Sequence, residues 1–151
     1  MQIRLERLSN DRHRLIVRRA GLPDVERELE TRSVLLHDLV HFAVELEAGL
    51  SDGFWGTLAA GASFDELQHD ASSQASVMRA ERLVAPMQSV WNGRLPAARY
   101  VEMLRGEMPF VTADFVDRVL ARIRRLWGHW QGTPFHEAME LVWPGHDSGA
   151  G

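Results

Sequence analysis

The segment His37-Asp38-Leu39-Val40-His41, with Glu45 one helical turn further on, carries the residue types and spacing that point most directly to chemistry. The run from Ser33 to about Ala48 reads as a helix. Two imidazoles four residues apart stand on one helix face, where they can share a metal ion. A carboxylate beside the first of them, Asp38, can then act on a metal-bound water. The cofactor this implies is zinc or another divalent metal. Two protein ligands are too few, because a catalytic zinc usually has three and a water.

Glu45 is the local third candidate. It lies about 12 Å from His37 along the helix axis at roughly 1.5 Å per residue, so it is expected behind the ligands or in solvent rather than on the ion. Asp65-Glu66-Leu67-Gln68-His69-Asp70 offers more. Glu66 and His69 are three residues apart and can face the same way on a helix. Each has a competing use. Ser63 with Glu66 three residues later forms a capping box, and His69 reads equally well as a surface histidine.

The elements that must position these residues follow from hydrophobic periodicity and turn chemistry. Ile3, Leu5 and Leu8 alternate with charges, Ser9-Asn10-Asp11 is a turn, and Arg14 to Arg19 is a second β-rich run. Residues 2–19 therefore read as a hairpin, and Val25, Arg27 and Leu29 give a third strand whose acids can pair with the hairpin arginines. Ser33 reads as the cap of the His37/His41 helix and Gly49 as its stop. Leu35, Leu39, Phe42 and Leu46 form its apolar stripe, and His37, Asp38, His41 and Glu45 share the opposite side. An ordinary solvated face has the same pattern.

Further along, Gly53 to Gly61 is a short small-residue segment. A helix opens after Ser63 and is expected to fray at Ala71 to Gln74. Another runs from about Ala75 to Trp91, with Pro86 ending or kinking it. Pro96 to Arg105 and Thr112 to about Trp130 give two more. Met139, Leu141 and Trp143 alternate with Glu140 and Val142, so the last segment reads as a strand closing the sheet. The expected fold is α+β: a small antiparallel sheet from the N-terminal hairpin and the C-terminal strand, with four to five helices between. One domain over 1–144 and a flexible tail over 145–151 are expected.

His37-Asp38-x-x-His41 resembles the HExxH signature of zincin metallopeptidases, with Asp in place of Glu. The resemblance covers five residues. It implies zinc on His37 and His41, with Asp38 as general base. Asp is one methylene shorter than Glu, so its carboxylate stands further back from a metal-bound water. In the gluzincin branch the third ligand is a downstream Glu on another helix, a place Glu66 would take by analogy. HDLVHFAVE followed by GFWGTLAAG is also similar to a group of small bacterial proteins of unknown function. That similarity implies that the two segments form one unit. Gly53, Gly56 and Gly61 would permit close backbone approach beside the His face, or plain helix packing.

Composition bounds the alternatives. The chain has 151 residues, 45% of them hydrophobic and 25% charged, and no Cys, so no thiolate or disulfide chemistry is available. The absence of a signal peptide and of a long apolar run is the pattern of a cytoplasmic protein without a membrane partner. All 17 cations are Arg, which suggests a GC-rich bacterial source and removes Schiff-base and P-loop lysine chemistry. The net charge of -4 argues against nucleic acid. Arg118, Arg122, Arg124 and Arg125 beside Trp127 and Trp130 form the one basic aromatic run that would speak for it. Ser72-Ser73 lacks a nucleophile elbow. Two readings lead: a metal-binding protein with a hydrolase-like site, and a non-catalytic interaction domain with a protein partner or a second copy. A nucleic-acid-associated protein comes third.

Overall fold

A computed structural model of the chain describes residues 1–70 and 75–145, the side chains of 68–70 and 75–77 excepted. The sheet has four antiparallel strands in the order β3-β2-β1-β4. They are β1 (Gln2–Arg7), β2 (Arg12–Arg18), β3 (Val25–Glu30) and β4 (Ala138–Val142). Leu5 stands between Leu15 and Met139, and Ile3 beside Val17, so one face carries the aliphatic residues of three strands. Alternation puts the charges on the other face, where they pair across strands: Arg4 with Glu140 at 2.8 Å, and Arg14 with Glu6 at 3.1 Å and Glu26 at 3.3 Å. The two ends of the chain thus build one sheet, as the alternating patterns required. His13 is inside β2 and fully buried, with Nδ1 3.0 Å from the Thr31 hydroxyl.

Six helices occupy the described residues: α1 (Thr31–Ala48), α2 (Phe54–Ala59), α3 (Phe64–Asp70), α4 (Ala75–Trp91), α5 (Ala97–Leu104) and α6 (Ala113–Gln131). α1 starts two residues before Ser33. Its cap is Glu30, the last residue of β3, whose carboxylate accepts from the Arg32 N–H and from the Ser33 hydroxyl. A long acidic side chain replaces the usual short one here because the strand runs straight into the helix and leaves no loop for Ser33 to cap. Gly49 ends α1 in the left-handed conformation, at φ 68°, and its N–H reaches back to the Glu45 and Leu46 carbonyls. Pro86 does not end α4, which continues to Trp91. The proline frees only the Arg82 carbonyl, on an exposed residue that water reaches. The Ala71 to Gln74 stretch, Ser72-Ser73 and the tail beyond Gly145 lie outside the described residues.

α1 is the central element. It packs against α4 and α6, with α2 laid across its C-terminal half. Leu35, Leu39, Val40, Phe42, Ala43 and Val44 are all buried. Each such side chain contributes on the order of 1.5–3 kcal/mol relative to exposure, and together they fix the helix in the interior. His41 and Glu45 are carried in with them, 3% and 0% exposed. The polar side of α1 is therefore turned inward at these two residues and must find partners inside the protein. On its far side, Glu47 joins α1 to α6 through Arg118 at 2.8 Å and Arg122 at 2.8 Å.

Candidate metal centre

Two helices converge on one cluster. α1 presents His37 and His41, one turn apart, and α4 presents Glu81 and, two turns later, Gln88. Glu81 Oε1 lies 2.6 Å from His41 Nε2 and 3.3 Å from His37 Nε2. The imidazoles meet edge to face, with centroids 4.9 Å apart. The three ligand atoms lie within 4.8 Å of one another, and no other such trio forms among the described residues. Bonds of about 2.0–2.2 Å to nitrogen and oxygen place neighbouring ligand atoms roughly 3.0–3.4 Å apart around a metal. The Glu81–His37 separation of 3.3 Å already lies in that range, and the Glu81–His41 contact of 2.6 Å would lengthen by about 0.4–0.8 Å around an ion. Two imidazoles and one carboxylate, without sulfur, suit zinc, iron or manganese. One side of the cluster is open: the His37 and Glu81 side chains are 36% and 43% exposed.

Each imidazole is also held at its second nitrogen. His37 Nδ1 is 3.1 Å from Gln88 Oε1, and His41 Nδ1 is 3.0 Å from Glu45 Oε2. Glu45 contacts the trio only through His41 Nδ1 and is not one of the converging ligand atoms. Its two oxygens accept from the backbone N–H groups of Phe54 at 3.0 Å, Trp55 at 3.0 Å and Gly56 at 3.2 Å, the first turn of α2. With His41, that is four donors around one buried carboxylate. The approach requires glycine at 53, since a Cβ there would sit 2.4 Å from Glu45 Cδ. Gly56 is equally constrained, its Cβ position lying 2.3 Å from the Ser51 carbonyl oxygen. The Trp55 indole N–H closes the joint by donating to the Asp38 carbonyl at 3.0 Å.

The charges follow this geometry. Burial opposes a charged His41, but the Glu45 and Glu81 carboxylates at its two nitrogens outweigh burial and raise its pKa to about 9. The hydrogen bond to Glu81 raises His37 against its own desolvation. The same contacts, to His37 and then His41, hold the Glu81 carboxyl well below the usual carboxylate range. Asp38 is desolvated, which pushes its carboxyl up to about 7, while the nearby His41 and His37 pull it back. It makes no hydrogen bond to a described residue through its side chain.

The sequence candidates are thus distributed as follows. His37 and His41 come together. Glu45 stands behind His41 and is not among the converging ligand atoms. Asp38 lies beside the cluster on the same helix. Glu66 does not join it: its N–H takes the Ser63 hydroxyl at 3.0 Å and its carboxylate accepts the Ser63 N–H at 3.4 Å, the capping box that competed for it. The His69 side chain lies outside the described residues. Glu81 and Gln88 were missed. Their spacing of seven puts them on one face of α4, but that signal shows neither that this face meets α1 nor in which register.

In the late arginine run, Arg118 and Arg122 hold Glu47, whereas Arg124 and Arg125 are exposed and Trp130 is buried. No helix among the described residues is long and apolar enough to cross a membrane. Comparison with known proteins yields no match: no protein-family model, no curated protein and no solved structure is significantly similar to the chain.

Proposed function

We propose that the chain binds one divalent transition metal through His37 Nε2, His41 Nε2 and Glu81, and that the bound ion supports hydrolysis. The observation that carries this reading is the convergence of these three atoms within 4.8 Å, with a partner holding the second nitrogen of each imidazole. Metal-binding histidines regularly carry such a partner. Hydrolysis is favoured over simple storage by the open side of the cluster, where water can complete the coordination, and by Asp38, a carboxylate beside it without a hydrogen-bond partner among the described residues. The elemental content of protein purified without tag or chelator tests the metal. Near one equivalent of zinc, iron or manganese is expected in the parent and none in His37→Ala/His41→Ala. An empty parent, even after each ion is added, overturns the reading. Asp38→Asn then tests hydrolysis: it should keep the metal and lose the activity found in a hydrolase screen.

A second reading has its own observation. Glu81 already contacts both imidazoles, so the trio can serve without metal as an ionic clasp between α1 and α4 in a non-catalytic interaction domain. That reading predicts an empty parent whose unfolding is indifferent to chelator.

A further inference from the structure

The Gly53-Phe54-Trp55-Gly56 turn aims the backbone N–H groups of Phe54, Trp55 and Gly56 at one carboxylate. The anion seated on its N–H groups is the chain's own Glu45, and Glu45 in turn holds His41 Nδ1. We propose that Glu45 and Gly53 are positioning residues for the metal centre: together they fix His41 so that Nε2, and not Nδ1, is offered to the ion. The inference rests on the metal-binding reading above.

The physical argument is one of donors and room. Glu45 lies between two groups that are both donors, the first turn of α2 and the Nδ1–H of His41. A carboxylate accepts only, so it satisfies both and holds the imidazole in the form protonated at Nδ1. Every oxygen direction of Glu45 used by α2 also fixes where the remaining contact to His41 can lie. The ring cannot turn over without leaving Nδ1–H unpaired in a site that is 3% exposed. Gly53 keeps this arrangement in place by having no Cβ. A Cβ there would meet Glu45 first, with Cδ at 2.4 Å, Oε1 at 2.5 Å and Cγ at 2.8 Å, and push the carboxylate off His41. The segment GFWG thereby acquires a role in the centre without supplying a ligand.

The experiment compares zinc affinity of the parent, Gly53→Ala and Glu45→Gln by competition with a chromophoric chelator, with circular dichroism to certify the fold. It adds 15N–1H long-range NMR of the imidazoles in the zinc-loaded parent. The expected result is about 10- to 100-fold weaker zinc binding in both variants. In the parent spectrum, His41 is expected to bind zinc through Nε2 and keep its proton on Nδ1. Unchanged affinity in a folded variant, or zinc on Nδ1 of His41 in the parent, overturns the positioning role and leaves the metal reading intact. A parent that binds no zinc overturns both. The parent spectrum decides the matter even if neither variant folds.

Discussion

Replacing Glu45 with Ala should be among the most damaging single changes in this protein. The carboxylate is wholly buried and accepts four hydrogen bonds, from His41 Nδ1 and from the N–H groups of Phe54, Trp55 and Gly56. Truncation leaves those donors facing a small cavity. An unsatisfied buried donor costs about 1–3 kcal/mol. Water entering the cavity would recover part of the sum. Removing one partner of a buried ionic contact costs roughly 3–5 kcal/mol, and that range is the expected loss here. It is a large fraction of a typical stability of about 5–15 kcal/mol. Glu45→Gln should lose less but more than about 1 kcal/mol. An amide keeps one acceptor oxygen for the α2 turn, but its NH2 can face His41 only if the imidazole gives up its Nδ1 proton and with it the charge that Glu45 and Glu81 favour. The assay is equilibrium urea unfolding of metal-free protein, followed by circular dichroism and by tryptophan fluorescence, to which Trp55 contributes from inside the joint. A loss below about 1 kcal/mol for Glu45→Ala would refute the claim that this carboxylate holds α2 to α1.

Three further outcomes follow from other parts of the structure. His13 is buried with its pKa lowered from 6.5 to about 4, by desolvation first and Arg12 second. Between those values the unfolded chain holds the proton and the folded chain does not. The His13 contribution should therefore fall by about 3 kcal/mol as pH drops from 6.5 to 4, read as the difference between the parent and His13→Phe, because the raised Asp38 carboxyl titrates over the same range with the opposite sign. Zinc at about a hundred times its dissociation constant should stabilise the parent by roughly 2.7 kcal/mol, reversed by chelator and absent in Glu81→Ala. Thermal melts with and without zinc would show it. Tyr100→Phe should cost about 0.5–1.5 kcal/mol in urea unfolding, because the Leu83 carbonyl inside α4 loses the additional hydroxyl that donates to it at 2.8 Å.

Local sequence patterns specify the elements and much of their order. Alternation in Ile3/Leu5, Leu15/Val17 and Met139/Leu141 specifies strands because a pleated strand exposes alternate residues to one core. The 3.6-residue period of Leu35, Leu39, Phe42 and Leu46 specifies a helix for the same kind of reason. The pairing of His37 with His41, the glycine stop at 49, and the capping box at Ser63 and Glu66 are local too, since each joins residues within a turn or two. Tertiary structure alone decided the rest. Whether the polar side of α1 faces water or the interior depends on what packs around it, and at His41 and Glu45 it faces inward. Glu81 lies forty residues from His41, and Gln88 fifty-one from His37. Nothing in the α4 pattern encodes the rotation and register at which that helix meets α1. The start of α1 at Thr31, capped by Glu30, likewise follows from how β3 enters the helix, a junction no cap rule reads from Ser33. Local periodicity fixes which side of an element is apolar; which third residue completes a cluster of two depends on packing between segments far apart in the chain.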